Sequence, residues 1–168
     1  MEDNIYLKDG VERVIELLKN TFGDTFKKYF NAEVLNIPQD MLPCIMVTEE
    51  QGTIQSDASG QDKLTETITI MVVLNKKDEL GGDEDSNLAG FKVRKLVKGQ
   101  DPSTSYPYEY VTKSVMYALR THISMDDTVI NSSITTEFGP NVRGATLATE
   151  EGYVTLTIER LALVPSRN

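Results

Sequence analysis

Few side chains in this sequence are able to do chemistry, and their spacing limits what that chemistry could be. Carboxylates dominate: Asp83, Glu84 and Asp85 are consecutive, and Asp126 and Asp127 form a second group. Oxygen donors suit Mg²⁺ or Ca²⁺, but successive acids beside Gly81 and Gly82 cannot all converge on one ion, and the spaced ligands of a calcium loop are absent. A solvated charge run is the better reading, so no metal site and no cofactor are expected. The chain holds one histidine, His122, and one cysteine, Cys44. His122 falls at the end of an expected helix with no Ser or Cys placed beside it by the sequence, which fits a helix-end residue better than a general base. Cys44 opens the apolar run Cys44, Ile45, Met46, Val47, where a small buried thiol is expected. A phosphate-cradling glycine loop, an H-E-x-x-H pair and paired Cys or His spacings are all missing. No catalytic residue is assigned, and the chain is not expected to be an enzyme.

A basic run follows the acidic one. Lys92, Arg94, Lys95 and Lys98 lie within a few residues of each other in a chain whose formal charge is −9 and whose pI is near 4.6. So negative a chain is not suited to gripping nucleic-acid phosphates, which takes clustered cations without a surrounding acidic field. The basic side chains are better used covering a helix face or meeting an acidic loop of a neighbouring subunit. Asp83, Glu84, Asp85, Lys92, Arg94, Lys95 and Lys98 are therefore the candidate intersubunit or partner contacts.

The elements that must position these residues can be read from periodicity. Val11, Val14, Ile15 and Leu18 recur at helical spacing behind a capping signal at Asp9 and Glu12. The stripe could run on through Phe22, Phe26, Tyr29 and Phe30, with Gly23 and Asp24 allowing a break or a second short helix. A short buried strand is expected at 44–48. Its antiparallel partner is 64–74, where Leu64, Glu66, Ile68, Ile70, Val72 and Leu74 share one face and Thr65, Thr67 and Thr69 the other. Between and beyond them, polar stretches at about 50–63 and 75–90 read as long loops that order only on contact with something else. A short amphipathic helix is expected at 91–98, and a second helix carries Val111, Val115, Ala118 and Leu119. Residues 128–136 read as a strand, Gly139, Pro140 and Asn141 as a turn, and 145–149 with 153–163 as a hairpin closed near Glu150, Glu151 and Gly152. Helices set apart from antiparallel strands imply an α+β fold of one domain over residues 1–168: a single antiparallel or mixed sheet with helices packed on one face. The acidic start lacks a signal-peptide pattern and no apolar run approaches the roughly 20 residues of a membrane span, so a cytosolic product without a membrane partner is expected.

This order of elements resembles the tail terminator, or tail completion, proteins of long-tailed bacteriophages. The likeness rests on the helix of Val11 to Leu18 and on Leu42 and Pro43 leading into Cys44 to Val47. The alternating strand to Leu74, the helical middle at 110–120 and the terminal hairpin at 153–163 complete it. The resemblance is architectural and brings no catalytic residues. It implies a homohexameric ring in the virion, made in the host cytoplasm, that caps the last ring of tail tube protein, stops tube growth and presents a face to the head-to-tail connector or neck protein. DNA would pass through without specific binding, since an acidic annulus offers its phosphates no cations. Another head-to-tail adaptor or neck protein is the nearest alternative reading, and a carboxylate-dependent metal enzyme a more distant one. Replacing Asp83, Glu84 and Asp85 together by Asn and Gln is expected to leave the melting temperature unchanged and to alter assembly and its salt dependence. Loss of a saturable Mg²⁺ isotherm in calorimetry of that variant would instead place the chain among metal enzymes.

Overall fold

The computed structural model describes residues 9–56, 60–76, 86–99, 111–122, 129–144 and 146–163. Five strands form one mixed sheet in the order β1-β2-β3-β5-β4. They are β1 (Lys28–Phe30), β2 (Cys44–Ser56), β3 (Gln61–Asn75), β4 (Val129–Arg143) and β5 (Leu147–Leu163). β1 pairs parallel to β2, and every other neighbouring pair is antiparallel. Three helices, α1 (Gly10–Phe22), α2 (Ser86–Lys98) and α3 (Val115–Thr121), lie on one face, as the α+β reading requires.

Period-two alternation explains why that face is apolar. Ile45 and Val47 of β2, Ile68, Ile70, Val72 and Leu74 of β3, and Val154, Leu156 and Ile158 of β5 point the same way. They meet Val14 and Leu18 of α1, Val93 and Val97 of α2 and Leu119 of α3, all essentially buried. α1 starts where Asp9 accepts a hydrogen bond from the Val11 amide, and it ends at Gly23 (φ 54°). The aromatic residues after it are not more helix: a single 3-10 turn at Gly23–Thr25 intervenes, and Tyr29 and Phe30 belong to β1. Phe26 is still buried, edge-on to Phe22 with ring centroids 4.9 Å apart.

The opposite face is not bare. Residues 31–43 cross it and bury Ile37 and Leu42 against Cys44, Met46, Met71 and Val73. This second cluster is small; it reaches Leu147 and Tyr153 of β5, and it lies at the end of the sheet where β2 begins and β3 ends.

The structure corrects several expected boundaries. The stretch 50–63 is not a long loop: β2 continues to Ser56 and β3 starts at Gln61, with Thr53 opposite Thr65 and Ile54 opposite Leu64. Ladder hydrogen bonds to β3 supply the order that apolar burial does not. In the stretch 75–90, β3 ends at Asn75 and α2 begins at Ser86, five residues before its expected start, while 77–85 lie outside the described residues. Gly139, Pro140 and Asn141 make no turn, since β4 runs through them to Arg143. Pro140 is tolerated because β4 is an edge strand. Glu150, Glu151 and Gly152 do not close a hairpin either, because all three lie inside β5. The actual β4–β5 turn is at Gly144, whose φ of 63° suits glycine.

Gly152 is in β5 for a different reason. A Cβ there would lie 2.6 Å from Val97 Cγ2 and 3.2 Å from both Val93 Cγ2 and Phe138 Cε1, so its bare backbone lets α2 approach the sheet. Gly152→Ala is therefore expected to cost about 1–3 kcal/mol by overpacking, measured by chemical denaturation.

Candidate functional sites

Three groups of charge could carry function. The most enclosed lies beneath residues 31–43, on the face away from the helices. Arg143, at the end of β4, is 4% exposed, and Glu151 of β5 is fully buried. Arg143 Nε donates to Glu151 Oε1 at 2.7 Å and Nη2 donates to Oε2 at 2.9 Å, a bidentate pair. Thr149 Oγ1 donates to Glu151 Oε1 at 2.7 Å, and the Tyr153 hydroxyl donates to Oε2. The remaining Arg143 nitrogen, Nη1, reaches the Glu33 carboxylate at 3.0 Å and the Val34 carbonyl at 3.3 Å. Burial alone would raise the Glu151 pKa, but hydrogen bonds from Arg143, Tyr153 and Thr149 hold it below the usual carboxylate range. Arg143 is held still more firmly charged by its bond to Glu151. The nearby Cys44 thiol is pushed up to about 12, chiefly by burial, so it is an inert core group. Both partners are fully committed to one another, and neither is poised to exchange a proton with a substrate.

The second group sits where α1 begins. Carboxylate oxygens of Asp9, Glu49 and Glu66 lie within 4.8 Å of one another. Register explains the meeting: Glu49 and Glu66 project from β2 and β3 on the helix face, at the rim of the buried apolar rows, and Asp9 caps the helix above them. Arg160 Nη2 donates to Glu66 Oε1 at 2.7 Å, while Glu66 Oε2 and Arg160 Nε are buried without a partner. Burial, then the charges of Glu66 and Asp9, push the Glu49 carboxyl above its ordinary value, and Arg160 opposes the shift. Arg160 and the positive end of α1 both work against a cation in this place. The cluster was not foreseen because its three acids are far apart in sequence and only the β2–β3 register joins them.

The third group is the basic run. Lys92 and Arg94 are exposed on α2, Lys95 is half-buried, and the Lys98 ammonium lies 5.8 Å from the centre of the Phe138 ring. Lys98 thus covers an edge of the helix–sheet junction. Asp83, Glu84 and Asp85 lie outside the described residues, as do Asp126 and Asp127. His122 is exposed and caps α3, its amide donating to the Ala118 carbonyl. One open depression of about 390 Å³ is lined by Lys19, Asp24, Lys27, Lys28 and Tyr29. No described helix is long and apolar enough to cross a membrane. No protein-family model matches the chain, and no curated protein matches it.

The depressed Glu151 pKa gives a stability that is complete above the usual carboxylate range and is lost as pH falls through the folded value. Glu151→Gln, which leaves the buried Arg143 with only the exposed Glu33 carboxylate as a charge partner, is expected to destabilise by about 3–5 kcal/mol at pH 7 in denaturant titrations. The gap to the wild type should narrow in acid. Replacing both partners, Arg143→Met with Glu151→Leu, should recover most of the loss.

Proposed function

We propose that this chain is a virion structural subunit that assembles into a ring, caps a tail tube, stops its growth and offers an interface for head joining. The observation that carries this reading is a sheet that, among the described residues, ends on both sides in long edges without a covering strand. The outer half of β2 and nearly all of β4 have one side of the main chain without a described strand partner. Isolated proteins usually blunt such edges, because unpaired N–H and C=O groups invite another chain. A subunit meant to polymerise keeps them.

The order of elements also supports it. Helix, hairpin, helices and terminal hairpin, the order on which the tail-terminator resemblance rests, is the order α1, β2–β3, α2–α3, β4–β5. The charged groups agree with a structural role: Arg143 and Glu151 hold the fold, and the cations of α2 face outward or cover the sheet junction. With a charge of −9 on each copy, a ring would carry an acidic surface that DNA could pass without being held. Its partners would be further copies of itself, tube protein below and connector or neck protein above.

Multi-angle light scattering across a wide concentration range, with and without tail tubes, tests the reading. A six-fold mass, or a ring seen by negative stain on the tube end, is expected. A chain that stays monomeric at the highest concentration and also with tubes would rule it out.

A further inference from the structure

We propose that copies of this chain join edge to edge, β4 of one copy pairing antiparallel with the outer half of β2 of the next, so that a single sheet runs through the assembly. This rests on the assembly reading above and specifies how the copies meet.

Among the described residues, both edges are open. β1 covers β2 only at Cys44–Met46, and among the described residues no backbone hydrogen bond reaches the outer side of β2 beyond them or the outer side of β4. The usual protections are scarce. Residues 51–56 of β2 carry no charge and no proline, and residues 131–139 of β4 carry one charge, Glu137, and no lysine. A bulge lies at the inner end of the first run, between Glu49 and Gln51, and another just before the second, between Val129 and Asn131, so both runs are regular ladders. Low charge, no proline and an unpaired main chain are the properties of a strand that takes a partner.

Strand direction selects which edges match. β2/β3, β3/β5 and β5/β4 are each antiparallel, so β4 runs opposite to β2. Setting a second copy alongside, with its helices on the same side, brings its β2 against β4 in the antiparallel sense. Side chains match as well. On the helix face the edge residue Ile54 is 69% exposed, and Ile134 of β4 packs at the rim of the core on that same face. Joining the edges carries Ile54 toward a neighbouring apolar rim. On the other face Gln51 and Thr53 would meet Ser133 and Thr135, amides and hydroxyls that pair well across strands. The contact is heterologous, and such contacts close into rings when the rotation between copies allows it. Pairing of β4 with a second β4 would end at two copies and leave both β2 edges open.

The test uses two variants of the full chain: Thr53→Lys with Ile54→Lys to block β2, and Ser133→Lys with Thr135→Lys to block β4. All four side chains are exposed, so circular dichroism and melting should match the wild type. In sedimentation velocity each variant alone is expected to associate at least about tenfold more weakly than wild type, a loss of about 1.4 kcal/mol. Mixed together they should form a 1:1 pair, because each supplies one intact edge. In assembled wild type, the amides of residues 51–56 and 131–139 should exchange more slowly than in the monomer. Rings of wild-type strength from either variant, or a homodimer of the β2-blocked variant, would overturn the edge pairing and leave the ring-forming reading standing. A 1:1 pair from the mixture, with wild type growing as open filaments that do not cap tubes, would support the pairing and overturn the cap. A wild type that never associates would overturn both.

Discussion

The buried pair of Arg143 and Glu151 is the interaction on which one whole side of the molecule depends. Removing both charges from water costs several kcal/mol per ion, and only near-complete hydrogen bonding offsets that cost. The geometry meets the requirement: Glu151 accepts from Arg143, Thr149 and Tyr153, and Arg143 also reaches Glu33 and Val34. Glu33 and Val34 precede β2 and Arg143 ends β4, so one guanidinium joins segments 110 residues apart. It draws residues 31–43 across the sheet, and Ile37 and Leu42 are buried as a result. A one-residue slip of β5 would turn Glu151 to the helix face and leave Arg143 with only the exposed Glu33, so the pair also selects the β4–β5 register.

The helix face is organised by size rather than charge. Gly152 lets α2 settle on β5, and Val93 and Val97 fill the space its absent side chain leaves. Helical cover stops before the sheet does. At that border Glu66 and Arg160 take the place of apolar residues, their charges neutralised at 2.7 Å. Beyond it the hairpin of β2 and β3 continues as a ladder with polar side chains, and β5 supports β3 as far as Leu163 opposite Gln61. The sheet is therefore a buried half joined to an open half, and the open half is where the edges are unprotected.

Much of this was legible in the residues. The stripe of α1, the alternation of β3 and the antiparallel pairing of β2 with β3 follow from apolar spacing alone, because each element buries one regular face. The polar strands were not legible in the same way. Gln51, Gly52, Thr53, Gln55 and Ser56 carry no burial signal, and their order comes from a partner strand that periodicity cannot identify. Glu150, Glu151 and Gly152 have the composition of a turn. Only three-dimensional facts, a distant arginine and an approaching helix, make them the middle of a strand. A signal did exist: Thr149, Glu151 and Tyr153 alternate in step with Val154, Leu156 and Ile158 on the opposite phase, which one continuous strand explains better than a hairpin. The Asp9, Glu49 and Glu66 cluster left no trace in local spacing, since its members are brought together by register.

The placement of polarity argues that the open half is a retained feature and not a failure to complete the core. If the outer hairpin existed only to connect β2 to β3, a short turn after Thr48 would suffice, and the strands beyond it would be selected for nothing. Instead the pairing runs on to Ser56 opposite Asp62, with threonines facing each other at Thr53 and Thr65. β-branched residues stiffen an extended chain that has little burial to hold it. An exposed Ile54 in this setting adds no stability to the isolated fold, because it has no core to enter, yet an apolar residue at an unpaired edge gains once a neighbouring strand covers it. The core holds the inner half together without help, which leaves the outer half free to be shaped by what it meets.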